Sequence, residues 1–248
     1  FGGQMGHELV ADAQVSTSLY GEYDELNSTS LAGRLGPRFY LGSPTNPAGS
    51  IRPYVTASQV HFSDEELFSA AGGGVTADYR IGLGLRIGGF VQIEERDFAT
   101  QAAIPLPATR NGQYGEAAVG FDWRASPRFQ FFAGVNGETV DADTAFQSRE
   151  RIGVTGGFST FFDFPGVESA ARATLRLGYS DISYSAPDAS VNPLISREEQ
   201  RAAVGVEIAI PFEAFQIELG VDYAANASNL PNYEFNNTSV QLGVSRSF

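Results

Sequence analysis

The feature that most constrains the fold is a two-residue alternation of apolar with polar or small side chains, which recurs along most of the chain. Between Val75 and Ile87 every second residue is apolar, and the same rhythm runs from Val240 to Val244. Successive side chains of a β-strand point to opposite faces. The alternation therefore predicts strands that have one apolar face and one polar face.

About twelve such segments can be counted, beginning with Leu9 to Leu19. A two-residue hairpin turn is predicted at Gly88-Gly89, directly after the segment that ends at Ile87. The third segment, from about Ile51 to Phe62, has no clear alternation, so its two faces are not assigned. The chain therefore reads as a succession of antiparallel strands with almost no other regular structure.

The connections between these segments alternate in length. Short ones follow Ile87, Arg124, Phe162 and Ile210, and long ones cover Ser63 to Gly74, Phe98 to Gly112, Thr139 to Arg149, Asp181 to Glu199 and Ala224 to Asn237. An even number of strands with this alternation is typical of membrane barrels. We predict an all-β fold: a single antiparallel transmembrane β-barrel of about 12 strands over residues 1–248, with short periplasmic turns, long extracellular loops and a short periplasmic segment at 1–7.

Aromatic side chains are sorted between the two ends of the predicted strands. Such sorting is expected at the two interfaces of a membrane, whereas a soluble β-sandwich, the competing interpretation, gives no reason for it. The predicted belts are Trp123, Phe129, Phe162, Phe215 and Phe248 at the short-turn end, and Tyr179 and Tyr223 at the long-loop end.

The polar face of the predicted barrel carries arginines and carboxylates in equal numbers. In one interpretation they line a narrow aqueous pore that discriminates solutes by charge. In the other they pair with one another and fill the interior, because burying them unpaired would be costly. The predicted lumen-lining residues include Arg34, Arg38, Arg80, Arg86, Arg124, Arg172, Arg176, Arg201, Glu94, Glu116, Asp122, Glu207, Glu218 and Asp222.

Composition excludes several classes of protein. The net charge of -13 argues against a nucleic-acid binder, which needs a basic face. Cysteine is absent, so disulfides and thiolate metal sites are not available. No apolar run is long enough for a transmembrane helix. An export signal is also missing at the start, and Phe1 is expected near a mature N-terminus produced by signal cleavage.

Carboxylates concentrate in the predicted loops, for example at Asp64-Glu65-Glu66. Such a run could hold Ca²⁺ or Mg²⁺ between lipopolysaccharide phosphates, although a solvated loop is the simpler interpretation and no ordered ligand spacing is present. No cofactor is predicted.

An enzymatic site would have to use one of only two histidines, His7 and His61. His61 and Ser63 are spaced for one face of a strand, as in the outer-membrane phospholipase family, and Asp78 could orient the histidine. There is no Gly-x-Ser-x-Gly motif. We therefore expect that the chain is not an enzyme, with a lipid hydrolase as a minor alternative.

The last residues, Val240 to Phe248, resemble the C-terminal signature of Gram-negative outer-membrane β-barrels, in which alternating apolar residues end on an aromatic. The resemblance implies that this is the closing strand and that the barrel-insertion machinery recognises it. It also implies location in the outer membrane, with membrane lipid and lipopolysaccharide as surroundings.

Further segments resemble a more specific barrel module. Gly36-Pro37-Arg38-Phe39, Ile51 to Val55, Gly72 to Arg80 and Phe121 to Phe129 look like the barrel that follows a periplasmic TPR or FecR-type domain, as in surface-lipoprotein assembly modifiers. The resemblance lies in the alternation pattern of the strands over most of the chain. It allows a further protein partner in the envelope.

Two functions from different classes therefore remain open. The first is a narrow passive channel for small polar solutes, and the second is a non-conducting barrel that anchors or partners another envelope component. The identity of a solute, the partner and the oligomeric state do not follow from the sequence.

Overall fold

The computed structural model describes residues 7–18, 27–43, 46–62, 65–99, 110–167, 170–212 and 215–246. These residues form twelve strands and one short 3-10 helix, Pro231–Tyr233. Among them, no helix has the length and apolar character needed to cross a membrane. The strands are β1 His7–Ser18, β2 Ser28–Ser43, β3 Asn46–Phe62, β4 Glu65–Ile81, β5 Leu85–Phe98, β6 Gly112–Ser126, β7 Phe129–Ala142, β8 Arg149–Phe162, β9 Ala171–Tyr184, β10 Glu198–Phe212, β11 Phe215–Ser228 and β12 Phe235–Arg246.

All twelve strands belong to one antiparallel sheet, in which each strand pairs with the next one along the chain. This is the up-and-down arrangement of membrane β-barrels. The prediction of an all-β chain with about twelve antiparallel strands is confirmed.

The apolar side chains do not pack into a core. Leu177, Leu219 and Val221 are each about half exposed, and none of the large side chains in the described residues is fully buried. A soluble β-sandwich would enclose these residues between two sheets. The sandwich interpretation is therefore wrong.

The apolar face has the same height on three of the strands. On β5 it runs from Leu85 to Ile93, on β7 from Phe129 to Gly137 and on β9 from Ala171 to Tyr179, which is eight residue steps each time. At about 3.3 Å per residue this is about 26 Å along a strand. Tilting the strands by about 40° reduces the height to about 20 Å, close to the apolar band of a membrane barrel.

The predicted hairpin turn at Gly88-Gly89 is wrong. Both glycines lie inside β5, and the turn is formed by residues 82–84, where Gly82 has a φ of 63°. Ile81 pairs with Leu85 across this turn, so both side chains point to the same face. Because three turn residues preserve the two-residue rhythm, the alternation continues through the turn and conceals it.

The predicted long connection from Ser63 to Gly74 is also wrong, since β4 begins at Glu65 and only residues 63–64 separate it from β3. The apolar face of this part of β4 carries Ser69, Ala71 and Gly73, which are too small to produce an apolar alternation. Several carboxylates assigned to loops lie instead in strands: Glu65, Glu66, Asp141, Asp181, Glu198 and Glu199.

The remaining connections define two ends of the sheet. We call the end with connections 44–45, 82–84, 127–128, 163–170 and 213–214 the short-turn end, and the end with connections 19–27, 63–64, 99–111, 143–148, 185–197 and 229–234 the long-loop end. Two connections do not have the length that the name of their end implies: 63–64, at the long-loop end, is short, and 163–170, at the short-turn end, is comparatively long. The alternation of short and long connections otherwise holds.

Candidate functional site on the polar face

The pairing register places the predicted lumen-lining residues on one face of the sheet. Residues paired across antiparallel strands point to the same side. Arg86 pairs with Asp122, for example, and Glu207 pairs with Gly220 and Thr174. Following the pairs from β2 to β11 brings all fourteen residues onto the face opposite Leu85, Val135, Leu175 and Leu219. We call this the polar face and its opposite the apolar face.

Ion pairs link neighbouring strands in the half of the polar face nearer the short-turn end. Glu207 accepts hydrogen bonds from Arg172 at 3.0 Å and from Arg176 at 2.9 Å. Asp78 accepts a hydrogen bond from Ser50 at 2.6 Å and forms an ion pair with Arg86 at 3.3 Å. Carboxylates on this half are thus partly neutralised by arginines from adjacent strands.

A denser network occupies the half nearer the long-loop end. Glu138, whose side chain is only 7% exposed, pairs with Arg149 at 2.8 Å and with Arg151 at 3.3 Å. Arg149 uses both Nε and Nη2 to reach the same carboxylate oxygen. Buried carboxylates of this kind require such partners because desolvation of an unpaired charge is expensive.

A second chain of contacts on this half crosses from β3 to β6. The Tyr54 hydroxyl donates to Gln92 at 2.8 Å, and the Gln92 amide donates to Glu94 at 2.7 Å. Arg96 pairs with Glu94 at 3.3 Å and stacks on the Tyr114 ring, 3.6 Å from its centroid. These residues hold one another in fixed orientations on the polar face.

Small residues form a continuous row across the middle of the polar face. Each member pairs with the next across six neighbouring strands, in the order Gly88, Gly120, Gly134, Thr155, Gly178 and Ala203. We call this the small-residue row. A cavity of about 610 Å³ opens over its β5 to β8 part. No large side chain from the row fills that space.

Three arginines of the polar face have no carboxylate partner among the described residues. Arg34, Arg80 and Arg124 are all exposed. Among the described residues, Arg34 contacts the Tyr54 ring and Arg124 contacts the Phe161 ring. Among the described residues, Glu116, Asp122 and Glu218 accept side-chain hydrogen bonds from neutral donors only: Tyr114, Gln130 and Gln216. The polar face therefore retains charges of both signs without an ion-pair partner in the described part of the chain.

At the long-loop end, an arginine is held between two tyrosines. The Arg197 guanidinium lies 3.7 Å from the ring centroid of Tyr184 and 4.0 Å from that of Tyr233. Its Nε lies 3.0 Å from Glu199, which also pairs with Arg201 at 2.7 Å. Cation–π stacking on both sides of a partly buried guanidinium fixes its plane.

This arginine borders a cavity of about 330 Å³, which we call the mouth pocket, lined by Arg110, Phe146, Gln147, Tyr184, Ala186, Asp188, Arg197, Leu230 and Tyr233. A second cavity of about 260 Å³ adjoins it and shares Arg110 and Gln147. The Ser190 hydroxyl and backbone amide both donate to Asp188, and these hydrogen bonds lower the pKa of its carboxyl group.

The loops around the mouth pocket are joined by hydrogen bonds. Asn229 accepts from the Glu198 amide at 2.9 Å and donates to the Ser196 carbonyl at 2.9 Å. The Ser185 amide donates to the Ser148 carbonyl at 3.0 Å, which connects the 143–148 and 185–197 loops. The pocket is therefore built by segments that are distant in the sequence.

The apolar face carries carboxylates only near the long-loop end. Six of them are exposed and have no ion-pair partner among the described residues: Glu95, Asp97, Asp141, Glu150, Asp181 and Glu198. We call them the acidic rim. The excess negative charge of the chain is thus found partly on the outside of the sheet, whereas the charges on the polar face are nearly balanced.

The predicted aromatic belts lie on the apolar face. Trp123, Phe129, Phe162 and Phe215 are within a few residues of the short-turn end, and Phe248 lies outside the described residues. Tyr179 and Tyr223 lie in the half nearer the long-loop end. Tyr79 departs from the sorting, since it is exposed near the short-turn end.

The hydrolase arrangement is not brought together. Asp78 pairs with Ser50, whereas His61 lies eleven residues further along β3, which is about 36 Å at 3.3 Å per residue. Ser63 and Asp64 lie outside the described residues. Within the described part of the chain, no group of three histidines or carboxylates could hold a metal ion.

Sequence reasoning missed several residues of the site. Arg52, which pairs with Asp12 at 2.5 Å, and Tyr54 lie on β3, whose faces the sequence left unassigned. The sequence does not indicate that Tyr114, Tyr184 and Tyr233 stack on arginines, because those arginines belong to other strands or loops. Only the pairing register reveals these contacts.

Comparisons with known proteins support the fold alone. No family model and no curated protein matches the sequence. Among solved structures, the chain is similar to BauA, the ferric preacinetobactin receptor from Acinetobacter baumannii, with a TM-score of 0.52 and 10% identity over 95% of this chain and 44% of the receptor. The β domain of the Bordetella autotransporter BrkA gives a TM-score of 0.36 at 11% identity, covering 98% of both chains.

The chain thus spans less than half the length of the receptor that it resembles. The TM-score of 0.36 is too low for any inference from the second structure. Together with the single antiparallel sheet, the likeness to BauA identifies the fold as that of outer-membrane β-barrels.

Proposed function

We propose that the chain forms a barrel in the outer membrane whose polar face lines a narrow water-filled channel for small polar solutes. In this proposal the apolar face contacts lipid, the short-turn end faces the periplasm and the long-loop end faces the outside. Solutes cross by passive diffusion.

The observation that carries the proposal is the set of exposed arginines without carboxylate partners on the polar face. Arg34, Arg80 and Arg124 would each be strongly unfavourable in a dry interior, since an unpaired buried charge costs several kcal/mol. Contact with water removes this cost. The arrangement is therefore the one expected if the polar face is hydrated.

The small-residue row supplies the space that such water needs. Barrels with about eight strands are filled by side chains, whereas barrels with about sixteen leave a channel, so a twelve-stranded barrel can be either. Here the glycines at positions 88, 120, 134 and 178 remove the side chains that would otherwise project into the centre. The small-residue row therefore favours a barrel with an open channel over a barrel filled by side chains.

A non-conducting structural barrel is the second candidate, and the ion-pair network near the long-loop end favours it. Glu138 pairs with Arg149 and Arg151, and Glu94 pairs with Arg96. A layer of ion pairs of this kind can occlude a barrel at a lower cost than unpaired charges would.

Single-channel recording in planar bilayers separates the two candidates. The purified, folded protein is expected to give discrete conductance steps in potassium chloride. Gly178→Phe is expected to reduce the single-channel conductance by at least half. Gly178 lies in the small-residue row, where an added Cβ meets no atom closer than 3.9 Å, so the larger side chain projects into the channel.

The matched control is Leu177→Phe, which changes the adjacent residue on the apolar face. Its conductance should equal that of the unmodified protein. If the folded protein gives no conductance steps, the channel proposal is wrong and the non-conducting structural barrel is the remaining candidate.

A further inference from the structure

We propose that the mouth pocket binds a small oxyanion, a phosphate or carboxylate group, and that Arg110 and Arg197 are its binding residues. The inference deepens the proposed channel and rests on it, because a site at the mouth identifies a solute class only if solutes pass through.

The charges that line the pocket are unequal. The mouth pocket and the adjoining cavity are bordered by Arg96, Arg110, Arg149 and Arg197, against a single carboxylate, Asp188. Asp188 is already hydrogen-bonded twice by Ser190. Arg96, Arg149 and Arg197 have carboxylate partners outside the lining, namely Glu94, Glu138 and Glu199, so the cation that remains without a carboxylate partner among the described residues is Arg110.

Arg110 is the cation available to a ligand. It is exposed, it borders both cavities, and it has no hydrogen-bond or ion-pair partner among the described residues. Arg96 and Arg149, in contrast, are committed to Glu94 and Glu138. A guanidinium without a partner offers planar paired donors that match a carboxylate or phosphate.

Arg197 supplies a second, rigid donor. Its stacking between Tyr184 and Tyr233 fixes the guanidinium plane, and Glu199 lies on its Nε side, 3.0 Å away. Its two Nη atoms have no carboxylate partner among the described residues. The amide of Gln147 also borders both cavities and has no side-chain partner among the described residues. Preorganised donors bind more tightly because little conformational freedom is lost on binding.

The volume fits a small solute. A cavity of about 330 Å³ lies at the lower end of the range for small-molecule sites. The hydrogen bonds of Asn229 and the Ser185–Ser148 bond hold its walls together without a ligand. Tyr184, the last residue of β9, lies on the polar face, so the pocket borders the proposed channel, which favours a dissolved solute over a lipid headgroup.

Isothermal titration of the folded protein in detergent micelles with inorganic phosphate tests the assignment. Binding is expected for the unmodified protein, with a Kd raised at least tenfold by Arg110→Gln and no measurable binding in the Arg110→Gln, Arg197→Gln double variant. Arg110 is exposed and has no ion-pair partner in the described part of the chain, so the single variant should fold normally.

Arg128→Gln is the matched control, because Arg128 is exposed at the opposite end of the sheet and makes only a 3.7 Å ion pair with exposed Asp163. Its phosphate affinity should be unchanged. Absence of phosphate binding, or equal affinity in the Arg110→Gln and Arg128→Gln variants, overturns the oxyanion site even if the channel conducts.

A second titration with lipopolysaccharide distinguishes the source of the anion. The proposal expects that lipopolysaccharide binding, where present, is equal in the Arg110→Gln and unmodified proteins. Loss of lipopolysaccharide binding in Arg110→Gln together with unaltered phosphate binding would overturn the assignment to a solute. Conductance, recorded without phosphate, independently decides whether the channel itself exists.

Discussion

At the scale of single residues, arginine determines the chemistry of the polar face. Every basic side chain other than histidine is Arg, and the planar guanidinium allows one residue to pair and stack at the same time. Arg96 pairs with Glu94 while it stacks on Tyr114, and Arg197 combines Glu199 with two tyrosines. Replacing such an arginine by lysine would lose the stacking.

A substitution at Glu138 measures how strongly these ion pairs stabilise the barrel. Glu138→Gln leaves Arg149 and Arg151 without their carboxylate, and the free energy of unfolding should fall by about 1–3 kcal/mol. Urea unfolding in lipid vesicles, followed by fluorescence of Trp123, provides the measurement. Glu150→Gln, on the acidic rim and without a partner among the described residues, should change it by less than about 0.5 kcal/mol.

At the scale of strands and turns, the sequence predicted the faces better than the boundaries. Alternation placed all fourteen polar-face residues on one side, because a two-residue period does not depend on where a strand begins. It missed the turn at 82–84, which preserves the period, and the start of β4, whose apolar face is small. The mouth pocket could not be predicted, since Tyr184, Arg197 and Tyr233 meet only through loop geometry.

The position of the turn can be checked with two glycine substitutions. Gly82→Ala should lower the free energy of unfolding by about 1–2 kcal/mol, because φ of 63° is unfavourable for a residue with a Cβ. Gly88→Ala should have a smaller effect, as Gly88 lies within β5 and its added Cβ would meet the nearest atom at 3.4 Å. The opposite order would support a turn at Gly88-Gly89.

At the scale of the whole molecule, the fold separates an apolar surface from a polar one. The apolar face keeps a height of about 20 Å on β5, β7 and β9, with aromatic residues toward its ends and the acidic rim beyond it. The polar face carries balanced charges. The net charge of the whole chain therefore does not give the charge of either face, and the two faces have to be considered separately.

A pair of arginine substitutions tests this separation. Leu219→Arg, in the middle of the apolar face on β11, should lower the free energy of unfolding in lipid vesicles by about 2–4 kcal/mol. Gly220→Arg, on the polar face, should cost much less, because an added Cβ meets only the Gln241 side chain at 3.8 Å. Equal costs would contradict a lipid-facing apolar surface.

Thiol labelling shows whether water contacts the polar face of a barrel that is embedded in lipid. Because the chain has no cysteine, single cysteines at Ala203, in the small-residue row, and at its neighbour Val204, on the apolar face, can be compared without background. In intact lipid vesicles a charged maleimide should modify Ala203→Cys and leave Val204→Cys unmodified. Modification of Val204→Cys with protection of Ala203→Cys would mean that water contacts the apolar face and that the polar face is dry.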